Sequence, residues 1–275
     1  MEEFKCWLQS HVPERNTQED YWHAIRTFLG WLGDREATAE TLTKYLLWCR
    51  GRGLKPATER AYYWGIRKYY EYLGVSCENG YKVPRLGKRL PKALTKEQVK
   101  NLFHVARERA TTPIGRRNLA MLQVLYACGL RKSELQGLTV NDLYLEDRRL
   151  IVSGKGRKER TVPFDQETYR ALVDWLKDRG DPPHTYLWLG RDGTPLGAIG
   201  IYFALREIGK AAGIQHWHPH LMRHTCATFL LNAGCNIRVV QEFLGHSSLM
   251  TTQVYTHVSA DDMRREYARY HPPKI

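Results

Sequence analysis

The sequence of 275 residues has no long apolar run, no closely spaced cysteine pair and too few acidic residues to balance its basic ones. Because a membrane-spanning helix needs about 18 or more consecutive apolar residues, no such span is expected. The six cysteines are scattered without a Cys-x-x-Cys pair, which favours reduced thiols in a cytoplasmic protein over disulfides or zinc ligands. The first residues, "MEEFKCWLQS", are acidic and lack the apolar segment of a secretory signal.

The charge balance is strongly positive. The chain has 42 Lys and Arg against 29 Asp and Glu, a net charge of +13. Such an excess favours a polyanionic partner, with nucleic acid as the first candidate. Residues 1–90 carry 15 basic and 11 acidic side chains, and residues 91–275 carry 27 and 18. Both halves are therefore able to contact the same polyanion, although two ordinary domains with a solvated connector are the simpler alternative.

Hydrophobic periodicity divides the chain into two domains. Residues 1–80 contain three amphipathic helical patterns, in "NTQEDYWHAIRTFLGWLG", "TAETLTKYLLWCRGRG" and "KPATERAYYWGIRKYYEYLG". Residues 81–91 are rich in Pro, Gly and basic residues and are predicted to be a linker. Residues 92–275 are mostly helical, but "YLEDRRLIVSGKGRKERTVPF" predicts short strands joined by turns. The fold class is mainly α, with a helical N-terminal domain and a second helical domain carrying a small antiparallel β-sheet.

Isolated polar residues occupy four suggestive places in the second domain: after the apolar "YACGL", at a hairpin tip, in a His-x-x-Arg pair and in a His–Tyr pair nine residues apart. They are Arg131, Lys155, His220, Arg223, His246 and Tyr255. Taken singly, each has a structural explanation, such as a helix-end charge, a solvated turn lysine or a surface tyrosine. Their combination is what requires a chemical interpretation.

Together these residue types suit chemistry at a phosphodiester. Two arginines can hold the non-bridging oxygens of one phosphate, and two histidines can donate hydrogen bonds or shuttle protons near neutral pH. Lys155 at a hairpin tip is a candidate general acid for the leaving oxygen. Tyr255 is a candidate nucleophile. Its phenol has a pKa of about 10, so the phenolate is a better leaving group than a serine alkoxide when the phosphotyrosyl link is later broken. A phosphotyrosyl link therefore suits breaking and rejoining a strand, and arginines can neutralise charge without a metal ion.

Three segments resemble the tyrosine recombinases, or phage integrase family, and are most similar to its Xer-like members. They are "YACGLRKSELQGLTVNDL", "VSGKGRKERTVP" and "HPHLMRHTCATFLLNAGCNIRVVQEFLGHSSLMTTQVYTHV". By this resemblance the activating residues are Arg131, Lys155, His220, Arg223 and His246. Tyr255 attacks the scissile phosphate, and Glu134 matches an acidic position that orients its neighbours. No cofactor and no metal are implied.

The resemblance also implies partners. A core-binding domain over residues 1–80 and a catalytic domain over residues 92–275 would form a C-shaped clamp around duplex DNA. Recombination would take place in a homo- or heterotetramer on two DNA sites, with strands exchanged through a Holliday junction. The C-terminal helix would dock on a neighbouring subunit, with packing in cis or fraying of the helix as the alternative. Chromosome dimer resolution and integration or excision of a mobile element both fit.

Three other functions compete with this interpretation. The first is a metal-dependent hydrolase, because histidines crowd in "HWHPHLMRH" at His216, His218, His220 and His224. The second is a non-catalytic DNA-binding protein derived from a recombinase, which the intact set of Arg, Lys, His and Tyr argues against. The third is a type IB topoisomerase, which uses similar chemistry without partner sites.

Overall fold

The computed structural model describes residues 1–13, 15–77, 81–84, 93–154, 159–245 and 260–270. The chain divides into two compact units, Met1–Leu90 and Pro91–Ile275. Helices dominate the described parts of both, which confirms the prediction of a mainly α fold with one small antiparallel sheet. None of the described helices combines the length and the apolar character needed to cross a membrane.

The described part of the first unit contains four helices: α1 (Glu2–His11), α2 (Arg15–Leu32), α3 (Ala39–Gly51) and α4 (Pro56–Leu73). Helices α2 to α4 match the three predicted patterns and bury aromatic rings between them, including Phe28 and Tyr45. The start of α4 at Pro56 fits, because proline has no N–H to leave unpaired in a first turn. Helix α1 was not predicted, and it buries Phe4 and Leu8, one helical turn apart.

The second unit is larger, and its described residues form eight α-helices, one short 3-10 helix (Val140–Asp142) and the sheet. The helices are α5 (Lys96–Glu108), α6 (Pro113–Cys128), α7 (Lys132–Gly137), α8 (Gln166–Arg179), α9 (Ala198–Ala211), α10 (Pro219–Asn232), α11 (Ile237–Leu244) and α12 (Ala260–Tyr270). Helix α6 is buried over most of its length, as its apolar sequence predicts. Helix α10 packs against α6, and α11 packs against α10 and the sheet. This arrangement brings together the ends of several elements that are distant in sequence.

The sheet has three antiparallel strands in the order β1 (Leu143–Tyr144), β2 (Arg149–Ser153) and β3 (Glu159–Pro163). Leu150 pairs with Val162 and Val152 pairs with Arg160. Because side chains alternate between the two faces of a strand, Arg160 lies on the same face as buried Val162. An arginine on the core-facing side of a strand needs partners, and these lie in the site described below.

The C-terminal helix α12 packs against its own unit. Met263 and Tyr267 are buried, and the Tyr267 hydroxyl donates a 3.1 Å hydrogen bond to the carbonyl of Ala127. The ring of Tyr267 stacks on that of Phe243 at a centroid distance of 5.6 Å. The contacts within the described residues are therefore those of packing in cis.

Candidate active site

Arg131 and Glu134 lie where α6 gives way to α7. Arg131 is the N-cap residue of α7, and the carboxylate of Glu134 accepts a 2.8 Å hydrogen bond from its backbone N–H. The Arg131 guanidinium donates to the same carboxylate at 2.6 Å and to the carbonyl of Gly245 at 2.8 Å. Both terminal nitrogens of the Arg131 guanidinium are therefore fixed by protein acceptors. The side chain is still 31% exposed.

Arg223 reaches the same place from α10. Its guanidinium donates to the carbonyl of Gly129 at 2.7 Å and to that of Leu244 at 2.6 Å, and its nearest approach to Glu134 is 3.9 Å. Burial, followed by the positive charge of Arg131, lowers the pKa of Arg223 to about 10, while the charge of Glu134 opposes that shift. Arg223 therefore stays protonated at neutral pH in a position that holds more positive than negative charge.

Arg160 is a member of this cluster that the sequence interpretation did not single out. It donates to both oxygens of Glu134, at 3.0 and 2.9 Å, and to the carbonyl of Phe243 at 2.9 Å. The signal for it was present in the sequence, because period-two alternation in "ERTVP" puts Arg160 on the face of Val162. An arginine on a core-facing strand position indicates a buried acidic partner.

Glu134 is the buried carboxylate at the centre of the cluster. Its two oxygens accept four hydrogen bonds, two from Arg131 and two from Arg160, which is about the full capacity of a carboxylate. Burial raises its pKa, but the hydrogen bonds from Arg160 and from the Arg131 backbone outweigh burial and lower the pKa to about 2. Glu134 is therefore a permanent anion with no lone pair left for a substrate proton. Its position suits orienting the arginines rather than proton transfer.

His220 lies one helical turn before Arg223 and is exposed. Although the residue is exposed, partial desolvation of its ring, and then the nearby charges on His218, Arg223 and Arg131, lower the pKa of His220. The neutral imidazole therefore dominates at pH 7, and a neutral ring can both donate and accept a hydrogen bond. His218 has a different use, since its Nδ1 accepts a 3.1 Å hydrogen bond from the N–H of Leu221 and caps α10.

The cluster can bind an anion. Each guanidinium has five N–H groups, and two of those on Arg131 and two on Arg223 donate to protein acceptors. Three on each side chain have no protein acceptor among residues that the structure describes. Three arginines surround one carboxylate, so the described part of the cluster carries a surplus of positive charge. These are the properties of a site for a phosphate group.

The predicted site is only partly inside the described ranges. The structure brings Arg131, Glu134, Arg223 and His220 together in the second unit. Lys155, His246 and Tyr255 lie outside the described residues. Over the described ranges, no group of three or more His, Cys, Asp or Glu side chains is arranged to hold a metal ion.

Comparison with known proteins agrees with the motifs. The model of the phage integrase family matches residues 92–262. Tyrosine recombinase XerC of Bacillus pumilus is 39% identical over 277 aligned positions, covering 93% of this chain and 90% of that protein. Tyrosine recombinase XerD of Pseudomonas aeruginosa is 36% identical over 283 positions, covering 97% and 94%. The Tn1549 transposon integrase, solved with transposon right end DNA, superposes with a TM-score of 0.69 at 24% identity, covering 97% and 98%, and this shows the shared fold.

The chain belongs to the phage integrase family. Within that family it is a tyrosine-type site-specific DNA recombinase, similar to the Xer proteins over nearly its whole length. The resemblance seen in the three sequence segments is confirmed.

Proposed function

We propose that this chain breaks and rejoins DNA strands by attack of the Tyr255 hydroxyl on a scissile phosphate held by Arg131 and Arg223. The observation that carries the proposal is the cluster around Glu134, in which both arginines are fixed by protein acceptors and still have N–H groups to donate. Attack would join the strand to the protein through a 3′-phosphotyrosyl link and release a 5′ hydroxyl. Attack of another 5′ hydroxyl on that link would reverse the reaction.

The arginines supply the electrostatic part of catalysis. Negative charge grows on the non-bridging oxygens as the phosphate becomes five-coordinate, and donors already fixed in place stabilise that charge without reorganising. Arg223 suits this role because it is only 8% exposed, so water screens its charge weakly. Two guanidinium groups supply the charge neutralisation that metal ions provide in other phosphoryl-transfer sites, so we expect no cofactor requirement.

The remaining predicted residues handle protons and hydrogen bonds. A neutral His220 is able to accept the proton of the attacking phenol or to donate to a phosphate oxygen. His246 is proposed, from its motif, to be the second histidine that donates a hydrogen bond or shuttles a proton. Lys155 is the proposed general acid for the departing 5′ oxygen. In this in-line displacement Tyr255 would attack the phosphate, and Lys155 would protonate the oxygen that leaves from the opposite side.

The proposed substrate is a pair of double-stranded DNA recombination sites. Both units would contact the DNA, the first acting as the core-binding domain, because both halves of the sequence have a basic excess. Four subunits, identical or of two related kinds, would exchange strands pairwise through a Holliday junction. Chromosome dimer resolution is the favoured biological role, with integration or excision of a mobile element as the alternative.

The C-terminal helix is the proposed link between subunits. In the described residues α12 packs in cis, burying Met263 and Tyr267 against its own unit. Because all copies share this surface, the helix of a neighbouring subunit is able to make the same contacts by exchange of an identical element. The proposal therefore treats the cis packing as the arrangement before assembly.

The decisive experiment traps the covalent intermediate on a nicked DNA site. After cleavage, the short fragment that carries the 5′ hydroxyl diffuses away, so the reaction cannot reverse. The wild-type chain should give a 3′-phosphotyrosyl adduct that survives denaturing electrophoresis and whose DNA-linked peptide contains Tyr255. Tyr255→Phe should bind the DNA with nearly unchanged affinity and give no adduct. The matched control, Tyr270→Phe, should form the adduct normally. An adduct on Tyr255→Phe, or one mapped to another tyrosine, would overturn the assignment.

A further inference from the structure

The C-terminal end of α11 is held by the three arginines of the cluster. The carbonyls of three successive residues, Phe243, Leu244 and Gly245, each accept a hydrogen bond from a different arginine. The last carbonyls of a helix have no partner within the helix, and they carry its negative dipole end, so cations satisfy them well. The donors for the three carbonyls are, in order, Arg160, Arg223 and Arg131. The phosphate-binding arginines and the end of α11 therefore form one connected network.

Arg160 occupies a special position in this network. It supplies two of the four hydrogen bonds to Glu134, and the other two come from the backbone and side chain of Arg131. It also holds the Phe243 carbonyl through Nε. The side chain is only 11% exposed, so Arg160 has little surface to offer to DNA. Its contacts are directed to the groups that fix Arg131 rather than to a substrate.

Removing Arg160 changes how Arg131 is held. Glu134 is 4% exposed and depends on its cationic partners to remain ionised in that position. The charged groups facing it from packed elements of the described chain are Arg131 at the start of α7, Arg160 on β3 and Arg223 on α10. Only Arg160 contacts both carboxylate oxygens with its guanidinium, in a bidentate pair. Without that pair, the carboxylate that orients Arg131 is free to rotate or take up a proton.

We propose that Arg160 is a positioning residue for the cleavage step, which acts through Glu134 on Arg131 and through the Phe243 carbonyl on the end of α11. The proposal rests on the proposed function, because the placement of Arg131 matters only if Arg131 holds the scissile phosphate. A displacement of about 1 Å in a group that contacts the reacting centre is enough to cost roughly 100-fold in rate. A guanidinium fork is required, since an ammonium group cannot contact both carboxylate oxygens in the same planar way.

The first measurement is the single-turnover rate of adduct formation on the nicked site, at saturating protein and neutral pH. Arg160→Gln should be slower by roughly 100-fold, with DNA affinity close to that of wild type. Arg160→Lys should recover part of the rate because it keeps the charge but not the fork. The control is Arg149→Gln on the neighbouring strand, where the arginine pairs with exposed Asp147 at 3.0 Å, and it should cleave at the wild-type rate.

The second measurement is the pH dependence of that rate, which a purely structural role would not alter. The pKa of Glu134 in the wild-type site lies far below the working range, so its protonation should not limit the rate between about pH 5 and 8. In Arg160→Gln, burial acts on Glu134 with one cation fewer, so its pKa rises and the rate should fall as the pH is lowered. The double variant Arg160→Gln/Glu134→Gln should lack that acid limb, because an amide does not titrate.

The outcomes separate the two proposals. If the wild-type chain forms no adduct at Tyr255, the proposed function fails. If wild type forms that adduct and Arg160→Gln cleaves at the wild-type rate, the positioning role is overturned. The role is also overturned if Arg160→Gln is slow but its rate shows no fall at low pH, or shows a fall that remains in the double variant with Glu134→Gln. Should Arg160→Gln not fold, the cleavage rate of Arg160→Lys decides the question: a rate below that of wild type is expected because lysine lacks the fork, and a wild-type rate would overturn the positioning role.

Discussion

The clearest stability prediction concerns the loss of the buried carboxylate in Glu134→Gln. The arginines lower the pKa of Glu134 from 4.5 to about 2, and each pKa unit corresponds to about 1.4 kcal/mol, so ionisation of this group in the folded protein contributes about 3 kcal/mol. The side chain is 4% exposed, and solvent screening therefore reduces this value little. Glu134→Gln should lose this pH-dependent contribution at pH 7.

The sign of the pH dependence follows from the lowered pKa. A carboxylate with a folded-state pKa below its unfolded value stabilises the protein fully above the unfolded value of 4.5. The contribution is lost as the pH falls through the folded value of about 2. The difference between wild type and Glu134→Gln should therefore be largest near neutral pH, and by pH 3 its pH-dependent part should shrink to less than half.

The suitable assay is hydrogen exchange of the full-length chain, read by mass spectrometry on peptides from α6 and β3. It reports the free energy of opening of the second unit without requiring the whole chain to unfold in one step. The control is Asp174→Asn, which removes an exposed pair with Lys177 and should cost about 1 kcal/mol or less. A difference for Glu134→Gln that is equally small at pH 7, or that stays constant down to pH 3, would refute the linkage argument.

Three further outcomes are expected. Lys155→Ala should slow cleavage of normal DNA strongly, whereas a 5′-bridging sulfur, which leaves without a proton, should largely restore the rate; equal slowing on both substrates would remove the general-acid role. Gly245→Ala should slow adduct formation much more than Gly74→Ala: both glycines have positive φ, at +65° and +68°, but only at Gly245 would a Cβ press on Arg160, at 2.9 Å from its Nη1. Tyr267→Phe removes the hydrogen bond to the Ala127 carbonyl, worth about 1 kcal/mol, and should speed hydrogen exchange in α12 roughly fivefold; unchanged exchange would contradict the cis packing.

The elements that the sequence predicted are those with local signals. Helix α5 begins after Thr95, whose hydroxyl accepts from the N–H of Gln98 while the Gln98 side chain accepts from the Thr95 N–H. Helix α4 begins at Pro56 and ends before Gly74. Helix α1 lacked comparable signals: Phe4, one of its two buried residues, is held by ring contacts with residues of α2 and α4 that are distant in sequence.

The site shows the same division between local and long-range information. The short motifs singled out Arg131, Glu134 and Arg223 as candidates, because each lies in a characteristic segment. Their roles relative to one another depend on contacts that no local pattern encodes. The bond from Arg131 to the Gly245 carbonyl spans 114 positions, and the pair of Arg160 with Glu134 spans 26. Strand alternation is a signal that Arg160 faces inward, although the sequence interpretation did not use it, and it does not specify which carboxylate Arg160 contacts.

The charge balance of the cluster explains why such a costly arrangement is useful. Burying cations without equal negative charge is unfavourable, and burial, followed by the positive charge of Arg131, lowers the pKa of Arg223. A second carboxylate would reduce the repulsion among these cations in the protein without ligand. It would also occupy the guanidinium N–H groups that a phosphate needs. Glu134 already accepts four hydrogen bonds from Arg131 and Arg160. An anion that binds the remaining N–H groups therefore comes from outside the described cluster. In the proposed function a phosphodiester would supply one negative charge on binding and gather more on its oxygens as it reacts, so the cluster would stabilise the reacting phosphate more than the resting one.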